Sequence, residues 1–379
     1  MPNSHMIIFT GRLLPKSETF IRSQGECLQN LTPYYVGARL VQGLTLPPER
    51  MIVINQGSFF GSVQEIIFKL FGFAPKLYGQ IKALNPVLLH AHFGVCGTLA
   101  LPLVRFLQIP MIVTFHGLDA TMTDEYARRE SISTRVYLKR REALKQETPL
   151  FIAVSEFLKA ELVKKGFPPD KILVHYIGVD TELFQPDPRI NRELVVLFVG
   201  RLVEKKGCEY LIQAMAIVQS ALPDVKLVII GDGPLRASLE NLAKLSLKNY
   251  NFLGVQAPEV VRHWMQVAKV FCVPSIRATS GDSESFGIVF AEAQAVGLPV
   301  VSFASGGIPE VVAHNETGFL AAERDDHSLA DYILQLLKDP VLWQRLSYNG
   351  RQRVENIFNL QKQTQALENI YQAVIKHEI

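Results

Sequence analysis

Short apolar runs alternate with helix-length segments along most of the chain, and this alternation limits the possible folds more than any other feature. In the first half the runs lie at residues 6–10, 87–91, 111–115, 150–154 and 172–175. Fully apolar strands separated by helical segments are typical of βαβ units, whose parallel sheets are covered by helices on both faces. The sequence therefore predicts an α/β fold built on parallel sheets.

The pattern begins again after about residue 185. The segment FQPDP at 184–188 has little capacity for regular structure. Strand-like runs then follow at 194–199, 225–230, 270–274 and 299–303. We predict two Rossmann-like doubly wound domains, 1–187 and 188–359, that face each other across a cleft. Residues 360–379 have apolar positions at helical spacing and predict an amphipathic helix that packs back on a domain, with the first domain as the candidate.

The composition excludes several classes of protein. With 48% hydrophobic and 20% charged residues, the 379-residue chain has enough apolar material for full cores and is not disordered. A formal net charge of +3 gives no reason to expect a nucleic-acid partner. No basic leader precedes the first strand and no run of about 18 apolar residues occurs, so we expect neither a secretion signal nor a membrane span.

The cysteines indicate a reducing compartment. Cys27, Cys96, Cys208 and Cys272 are far apart and form no CxxC pair. This spacing argues against a zinc site or a disulfide framework. We therefore expect a cytoplasmic protein, with peripheral attachment to the inner face of the membrane left open.

Two cations follow the first strand of the second series. The run FVGRLVEKKG at 198–207 leaves a buried strand at Gly200 and carries Arg201 and Lys206 on the next loop. An Arg fork and a Lys ammonium at the carboxyl end of a strand suit a diphosphate group. Taken alone, the same residues would also fit a solvated turn, since Lys and Arg are usually surface residues.

Glycines mark the end of the next strand. Gly231 and Gly233 in the run IGDGPL at 230–235 allow a tight turn from a strand into a helix, and Pro234 suits the first turn of that helix. Such a turn can bring backbone N–H groups close to a nucleotide. It is equally an ordinary connection between a strand and a helix.

Two glutamates accompany the start of an apolar helix in the run SESFGIVFAEA at 283–293. Apolar residues from Ile288 onward predict a buried helix that starts near Gly287, where free amides and the helix dipole favour a phosphate. Glu284 precedes this helix and Glu292 lies within it, and both carboxylates can accept hydrogen bonds from sugar hydroxyls. The alternatives are a capping role for Glu284 and a core ion pair for Glu292, although a glutamate on so apolar a helix is costly without a partner.

The order and spacing of these motifs resemble the family 4 glycosyltransferases, which are retaining enzymes of the GT-B fold. Seven residues separate Glu284 from Glu292, and GLPVV at 297–301 and GGIPE at 306–310 follow them. The motifs at 200–207 and 231–235 precede them in the order that the family has. The resemblance covers almost all of the second domain.

The resemblance implies a site for a nucleoside-diphosphate sugar. Arg201 and Lys206 would hold the diphosphate, Glu284 the hydroxyls of the transferred sugar and Glu292 the ribose. The segment FLGV at 252–255 resembles the part that meets the base. The implied donor-binding residues are Gly231, Gly233, Val255, Ser285, Phe286, Gly287, Ile288 and Glu292, with backbone amides at 286–288 directed at the diphosphate.

Two histidines of the first domain follow strands. His92 lies in HAHFG at 90–94 and His116 in TFHGLD at 114–119, so both are expected to reach the same cleft. His116 resembles the family histidine near the donor sugar and joins Arg201, Lys206 and Glu284 as an implied catalytic residue. A loop histidine is otherwise more often structural.

The opening loop at 11–20 resembles members of the family that build exopolysaccharides and other surface glycans. Many relatives have two adjacent glycines in this loop, whereas this chain has only Gly11. Glu18 is a candidate contact for the acceptor, although the run SET at 17–19 equally fits a helix cap. Gly11, Glu18 and His92 are the candidate acceptor-side residues.

Fixed positive charge would favour the reaction that the resemblance implies. The nucleoside diphosphate departs with growing negative charge, so Arg201, Lys206 and the helix amides would lower the barrier. No Asp-x-Asp motif occurs, which argues against a metal-bound diphosphate, and the resemblance also implies metal independence and no resident cofactor. In family members the leaving phosphate is often assigned as the base for the acceptor hydroxyl.

Two segments of the first domain are candidates for membrane contact. Residues 59–73 are rich in aromatic and aliphatic side chains, and residues 128–145 are rich in Arg and Lys. An aromatic helix beside basic residues can rest on an anionic membrane and receive a lipid-linked acceptor. The alternative is a core helix beside a solvated helix face, because acids are interspersed among the bases.

The residues and the resemblance together imply a retaining, metal-independent hexosyltransferase. It would move a sugar from a UDP- or GDP-linked donor to a hydroxyl of a glycan or lipid-linked acceptor, in the synthesis of a surface polysaccharide or glycolipid. A nucleotide-sugar epimerase of the same architecture and a non-catalytic nucleotide-sugar binding protein are the alternatives.

Overall fold

The computed structural model describes residues 4–378, and residues 1–3 and 379 lie outside this range. The chain divides into two compact units: unit 1 runs to Gly178 and resumes at Leu360, and unit 2 spans Val179–Asn359. The sequence placed this boundary nine residues later, after residue 187. The segment between the two positions belongs to unit 2 because the Arg351 guanidinium donates to the carbonyl oxygens of Thr181 (3.0 Å) and Phe184 (2.6 Å).

Unit 1 contains a seven-stranded parallel sheet with the strand order β3-β2-β1-β4-β5-β6-β7. Its strands are β1 (Ser4–Leu13), β2 (Leu31–Leu40), β3 (Met51–Asn55), β4 (Leu88–His92), β5 (Met111–Phe115), β6 (Leu150–Ala153) and β7 (Ile172–Val174). The apolar runs predicted five of them. They did not predict β2, which contains Pro33 and Gly37, or the short edge strand β3.

Unit 2 contains a six-stranded parallel sheet with the strand order β10-β9-β8-β11-β12-β13. Its strands are β8 (Val195–Val199), β9 (Lys226–Ile230), β10 (Tyr250–Gly254), β11 (Val270–Cys272), β12 (Val300–Phe303) and β13 (Gly318–Ala321). The first strand of the unit, β8, lies in the middle of the sheet. The order therefore reverses between β8 and β11, which is where ligands bind in sheets of this kind.

Helices follow nearly every strand, as the alternation predicts. They are α1 (Thr19–Glu26), α2 (Phe59–Phe71), α3 (Pro75–Ala83), α4 (Gly94–Leu107), α5 (Leu118–Thr121), α6 (Asp124–Glu130), α7 (Ile132–Glu147), α8 (Glu156–Lys164), α9 (Cys208–Ala221), α10 (Arg236–Ser246), α11 (Pro258–Val267), α12 (Ile288–Ala295), α13 (Ile308–Val311), α14 (Asp326–Lys338), α15 (Pro340–Ile357) and α16 (Leu360–Ile375). Among the described residues, no helix combines the length and the apolar character that crossing a bilayer requires.

The last helix, α16, completes the core of unit 1. Its residues Leu367, Tyr371 and Val374 belong to the same hydrophobic cluster as residues of β1. The buried carboxylate of Glu368 accepts hydrogen bonds from the backbone amides of Gln29 and Asn30, both at 2.8 Å. Apolar burial and these charge-assisted bonds together hold the end of the chain on unit 1.

A glycine is required where β9 ends, next to the loop that follows β8. Gly231 has φ +137°, and a Cβ atom added there would clash with the carbonyl oxygen of Gly200. Its amide donates to the Gly254 carbonyl oxygen at 2.8 Å, so the strand ends of β8, β9 and β10 are drawn together at this point. The close approach of these backbones shapes the loops that carry the candidate site.

The substitution Gly231→Ala is expected to destabilise the protein by at least about 2 kcal/mol, because alanine is strained at this φ and its methyl group meets a backbone oxygen. Urea unfolding followed by circular dichroism measures the change. The matched control is Gly79→Ala in α3, where nothing lies within 4 Å of an added Cβ atom. There we expect unchanged stability or a gain of up to about 1 kcal/mol. Equal effects at the two positions would contradict the role assigned to Gly231.

Candidate functional site

The predicted site residues of unit 2 lie on loops that follow neighbouring strands and are hydrogen-bonded to one another. The Leu202 amide, after β8, donates to the Asp232 carbonyl oxygen after β9 at 2.9 Å. The Ile276 amide, after β11, donates to the Lys205 carbonyl oxygen at 2.8 Å. Because Leu202 is fully buried, it anchors the cation-bearing loop against the sheet. The backbone therefore holds Arg201, Lys205 and Lys206 at the carboxyl end of β8.

A buried ion pair joins two of these loops. The Lys206 ammonium contacts the carboxylate of Glu284, which is only 8% exposed. Burial raises the pKa of Glu284, but Lys206 and then Lys205 outweigh it and lower the pKa to about 2. Glu284 is therefore ionised at physiological pH and can only accept hydrogen bonds. The alternative capping role does not hold, since α12 has Gly287 at its N-cap position and no side-chain cap.

Helix α12 begins where the sequence predicts. Gly287 has φ +74° and precedes Ile288, the first residue of the helix, whose leading amides have no intrahelical acceptor. A Cβ atom added to Gly287 would lie 3.1 Å from Glu284 Cγ, so the glutamate side chain rests against the helix start. The Phe286 side chain is buried and packs on the Phe358 ring at a centroid distance of 5.3 Å. Any contact of Phe286 with a ligand must come from its backbone.

Buried hydroxyl groups also lie in the same loops. Within the described part of the chain, Ser285 Oγ and Ser305 Oγ are shielded from solvent and have no hydrogen-bond partner. Buried polar atoms are usually satisfied, so each is a candidate contact for a polar ligand. Ser285 was predicted from its motif, whereas Ser305 was not, because a serine that follows a strand carries no distinctive pattern.

Glu292 is a largely buried carboxylate on α12. Within residues 4–378 its side chain has no hydrogen-bond or ion-pair partner, so the alternative of a core ion pair with a base fails. Burial raises its pKa to about 7. A carboxyl group so costly to bury is a functional-site candidate, because no partner in its surroundings explains its presence.

The remaining predicted residues of unit 2 differ in exposure. Arg201 is exposed after β8, and Val255 is 73% exposed just beyond β10, where it can meet a planar ligand. A Cβ atom added to Gly233 would contact the backbone of Leu202. Gly231 and Gly233 thus allow close backbone packing, whatever they contribute to binding. Pro234 lies before α10, which begins at Arg236 rather than at the proline.

The two predicted histidines of unit 1 come together. His92 Nδ1 and His116 Nε2 are 2.9 Å apart and the rings stack at 5.2 Å. Behind them, His90 is hydrogen-bonded to the Tyr371 hydroxyl (2.6 Å) and to Thr114 Oγ1 (2.7 Å). Burial, and then His90, lower the pKa of His116 to about 3. His116 is therefore neutral at physiological pH and can act through a hydrogen bond, not through positive charge.

A buried aspartate organises the loops that carry these histidines. Asp119 accepts hydrogen bonds from the amides of Gly94 (2.8 Å) and Gly117 (2.9 Å), which follow β4 and β5. Phe93, between β4 and α4, has φ +76°, a strained conformation for a residue with a side chain. Its ring contacts His116 at a centroid distance of 4.8 Å.

The predicted opening loop is shorter than expected. Residue Gly11 lies inside β1, which pairs with β2 as far as Leu13, and its amide donates to Cys96 Sγ at 3.1 Å. Glu18 precedes α1 but makes no side-chain cap, so the capping alternative fails. Its Oε2 atom is buried without a partner among the described residues, and burial raises its pKa to about 7 against the opposing effect of Arg12.

Three residues with a clear role in these loops were not singled out from the sequence. Lys205 pairs with Asp282 at 3.1 Å and lies close enough to Glu284 to lower its pKa. Asp119 was seen only as the end of a histidine motif. Lys205 and Asp282 stand out in the sequence only as charged residues, and the fold is needed to show that they pair with each other.

The substitution Glu292→Gln is expected to change how stability depends on pH. The folded protein holds a proton up to about pH 7 that an ordinary carboxyl group, with a pKa of 4.5, has already released. The stability of the wild type therefore falls as pH rises between these values, and glutamine removes that dependence. The variant should gain about 1–3 kcal/mol on the wild type between about pH 5 and pH 8, measured by urea unfolding. Glu316→Gln, at an exposed position, is the control, and an equal gain there would contradict the assignment.

Comparison with known proteins identifies the family of the chain. Residues 179–353 match the family described as Glycosyl transferases group 1, and residues 37–183 match Glycosyltransferase Family 4. The chain is 33% identical over 274 residues to the amylovoran biosynthesis glycosyltransferase AmsK of Erwinia amylovora, covering 71% of this chain and 65% of AmsK. It is 30% identical to WcaL of Escherichia coli, provisionally named a colanic acid biosynthesis glycosyltransferase, covering 75% of this chain and 70% of WcaL.

Solved structures extend the likeness to the whole chain. The crystal structure of Anabaena Alr3699/HepE in complex with UDP and glucose superposes with a TM-score of 0.77, at 20% identity, over 97% of this chain and 99% of that one. At this identity the likeness shows the fold, which is the GT-B class predicted from the sequence. On the matches to both domains and the identity to WcaL, the chain belongs to the family 4 glycosyltransferases.

Proposed function

We propose that this chain transfers a hexosyl group from a UDP- or GDP-linked sugar to a hydroxyl of a glycan or lipid-linked acceptor, with retention at the anomeric carbon. The observation that carries the proposal is the buried contact of Lys206 with Glu284 at the start of α12. The names of AmsK and WcaL favour an acceptor in surface polysaccharide synthesis, and the UDP and glucose in the HepE crystal structure favour a nucleotide-sugar donor. A cytoplasmic location, at the inner face of the membrane for a lipid-linked acceptor, stays a prediction.

The cations and the helix start are suited to the donor diphosphate. Arg201 and Lys206 lie on the loop that follows β8, and Lys205 adds a third positive charge on the same loop. The amides at 286–288 supply donors at the positive end of the α12 dipole. Positive charge that is already in place when the diphosphate leaves lowers the barrier without reorganisation.

The two glutamates differ in the protonation state they offer. Glu284 remains a carboxylate, so we assign it to the hydroxyls of the transferred sugar. Glu292, with a pKa near 7, is assigned to the ribose hydroxyls, which it binds best when ionised. Gly231, Gly233 and Val255 complete the donor side, where they allow the backbone and one exposed apolar side chain to approach the base.

The proposed reaction exchanges one bond at the anomeric carbon for another. The bond from that carbon to the donor phosphate oxygen breaks, and its electron pair leaves with the nucleoside diphosphate. The acceptor oxygen forms a bond on the same face of the sugar, and the hydroxyl proton passes to the departing diphosphate. In unit 1 we assign neutral His116, held by His92, to a hydrogen bond with the sugar, and Gly11 and Glu18 to the acceptor side.

Donor binding is expected to raise thermal stability. A ligand at about 100 times its Kd adds about 2.7 kcal/mol to the free energy of unfolding. A thermal-shift screen with UDP, GDP and their common sugar conjugates tests this, with the double variant Arg201→Ala/Lys206→Ala expected to lose the shift. Lys248→Ala, which removes an exposed lysine elsewhere in unit 2, should keep it. No shift with any nucleotide would refute the donor assignment.

Loss of the Glu284 carboxylate is expected to reduce the rate of sugar transfer far more than the affinity for the nucleotide. We expect Glu284→Gln to lower the rate of sugar transfer at least about 10²-fold, since a preorganised polar contact to the reacting sugar is lost. Labelled donor and an acceptor extract measure the rate, and the shift caused by free UDP or GDP shows that the variant is folded. Glu316→Gln is the matched control. Transfer by Glu284→Gln at the wild-type rate would contradict the assignment of Glu284 to the transferred sugar.

The same assay separates the alternatives. A sugar epimerised when donor is supplied alone would indicate an epimerase. Donor binding without transfer to any acceptor would indicate a non-catalytic binding protein. Either result would overturn the proposed reaction and leave the nucleotide site in place.

Transfer is expected to persist in EDTA. Arg201, Lys205 and Lys206 supply the positive charge that a divalent cation provides in metal-dependent transferases. Initial rates with and without the chelator should agree within about twofold. A loss that added Mg²⁺ or Mn²⁺ restores would contradict the metal-independent mechanism.

A further inference from the structure

Helix α2 in unit 1 buries a glutamate and leaves most of its large apolar side chains exposed. Its exposed side chains include Phe59 (79% exposed), Phe60 (78%) and Phe71 (73%). The residues that it buries are Gly61, Glu65 and Phe68. A surface helix normally buries its apolar face, so this orientation requires an explanation.

The inward face is held by a buried polar cluster. Glu65 is 1% exposed and accepts hydrogen bonds from Arg39 Nε (2.8 Å), Asn55 Nδ2 (2.7 Å) and Lys69 Nζ (2.5 Å). Burial raises the pKa of Glu65, but these three hydrogen bonds outweigh it and lower the pKa. Ser58 also caps the helix by accepting from the Gly61 amide. The orientation of α2 is therefore specified by several partners.

The outward face is a continuous apolar surface. Phe59, Val63, Ile66 and Leu70 follow one another at spacings of four, three and four residues, and so form one row along the helix. Phe60, Phe71 and, beyond the helix, Phe73 widen this row. Next to it a groove of about 470 Å³ runs between α2, α3 and the edge strand β3, lined by apolar residues such as Ile52 and Ile67 together with polar ones such as Gln64 and Gln80. We call the row and the groove together the α2 face.

The segment that carries α2 and α3 has an excess of positive charge at its surface. Across residues 56–83 the only acid is Glu65, which is buried, whereas Lys76 and Lys82 remain at the surface. Two copies of this face would bring like charges together, so the charge disfavours a second copy as the partner. An apolar helix face with a rim of lysines is complementary to anionic lipid headgroups above an acyl layer.

The basic segment at 128–145 supplies less unpaired positive charge to the surface than its composition indicates. Arg141 pairs with Asp124 at 2.7 Å, and Lys145 is buried against Glu142 and the Lys165 carbonyl oxygen. Arg140 donates to the Leu70 carbonyl oxygen at the end of α2, at 2.8 Å. These three cations hold unit 1 together and fix α2 in place.

We propose that the α2 face docks on a bilayer containing anionic phospholipid, with its phenylalanine side chains inserted at the boundary between headgroups and acyl chains. The docking needs no donor or acceptor sugar and therefore goes beyond the proposed transfer reaction. It orients unit 1 toward a surface from which a lipid-linked acceptor can be reached.

Vesicle flotation tests the proposal with the whole 379-residue chain. We expect binding to vesicles of phosphatidylcholine and phosphatidylglycerol in equal parts, and weaker binding to phosphatidylcholine alone. The variant Phe59→Ser/Phe60→Ser/Phe71→Ser should bind at least about tenfold more weakly, because it removes three large apolar groups from the surface that inserts. Its thermal stability should not fall, since all three side chains are exposed in the free protein.

The matched control removes exposed apolar side chains from unit 2. Leu245 is 87% exposed and Val341 is 75% exposed, and the variant Leu245→Ser/Val341→Ser should bind vesicles as the wild type does. Lys76→Glu/Lys82→Glu should lose the preference for phosphatidylglycerol.

Two outcomes would overturn the proposal. One is equal vesicle binding by the wild type and the triple phenylalanine variant. The other is a wild-type dimer, detected by light scattering, that the triple variant splits, which would assign the face to a second copy of the chain. Nucleotide-induced thermal shifts should be the same in both proteins, so failure of the docking proposal and failure of the donor site are distinguishable.

Discussion

The buried contact between Lys206 and Glu284 is the interaction on which the loops at the strand ends of unit 2 depend. Glu284, on the loop after β11, is only 8% exposed, so its carboxylate needs the nearby ammonium groups of the loop after β8. Removing either partner would leave a buried charge uncompensated, and each loop therefore stabilises the other. Backbone hydrogen bonds extend the arrangement to the loops after β9 and β12, where the Gly307 amide donates to the Glu284 carbonyl oxygen at 2.8 Å. The site is thus a property of the sheet edge, with each loop held by its neighbours.

Much of unit 2 could be predicted from the sequence because several positions in its loops and in α12 tolerate few other residue types. Gly231 and Gly287 have backbone conformations that disfavour other residues, and a glutamate in an apolar helix stands out. Strand ends in a parallel sheet meet at one edge, so residues that follow strands were expected to converge. The part played by Lys205 could not be predicted, since its partner Asp282 lies 77 positions away and nothing in the local pattern links them.

Unit 1 was less predictable for two physical reasons. Strand β2 contains Pro33 and Gly37, which local propensity disfavours and sheet pairing tolerates. The amphipathic pattern of residues 59–73 defines an apolar face but not the direction in which it points. That direction is set by Arg39 and Asn55, which meet Glu65 only after β2 and β3 have formed. Similarly, the stacking of His92 on His116 needed the pairing of β4 with β5.

The return of α16 to unit 1 has a consequence for synthesis. The hydrophobic cluster of unit 1 combines Met6 and Ile8 with Leu367, Tyr371 and Val374, so its members come from both ends of the described chain. All of unit 2 lies between them in sequence. A ribosome therefore releases unit 2 in full before the last part of the unit 1 core exists. Unit 2 is thus the first unit whose residues are all present, and the nascent first half must keep its incomplete core from aggregating until α16 has been synthesised.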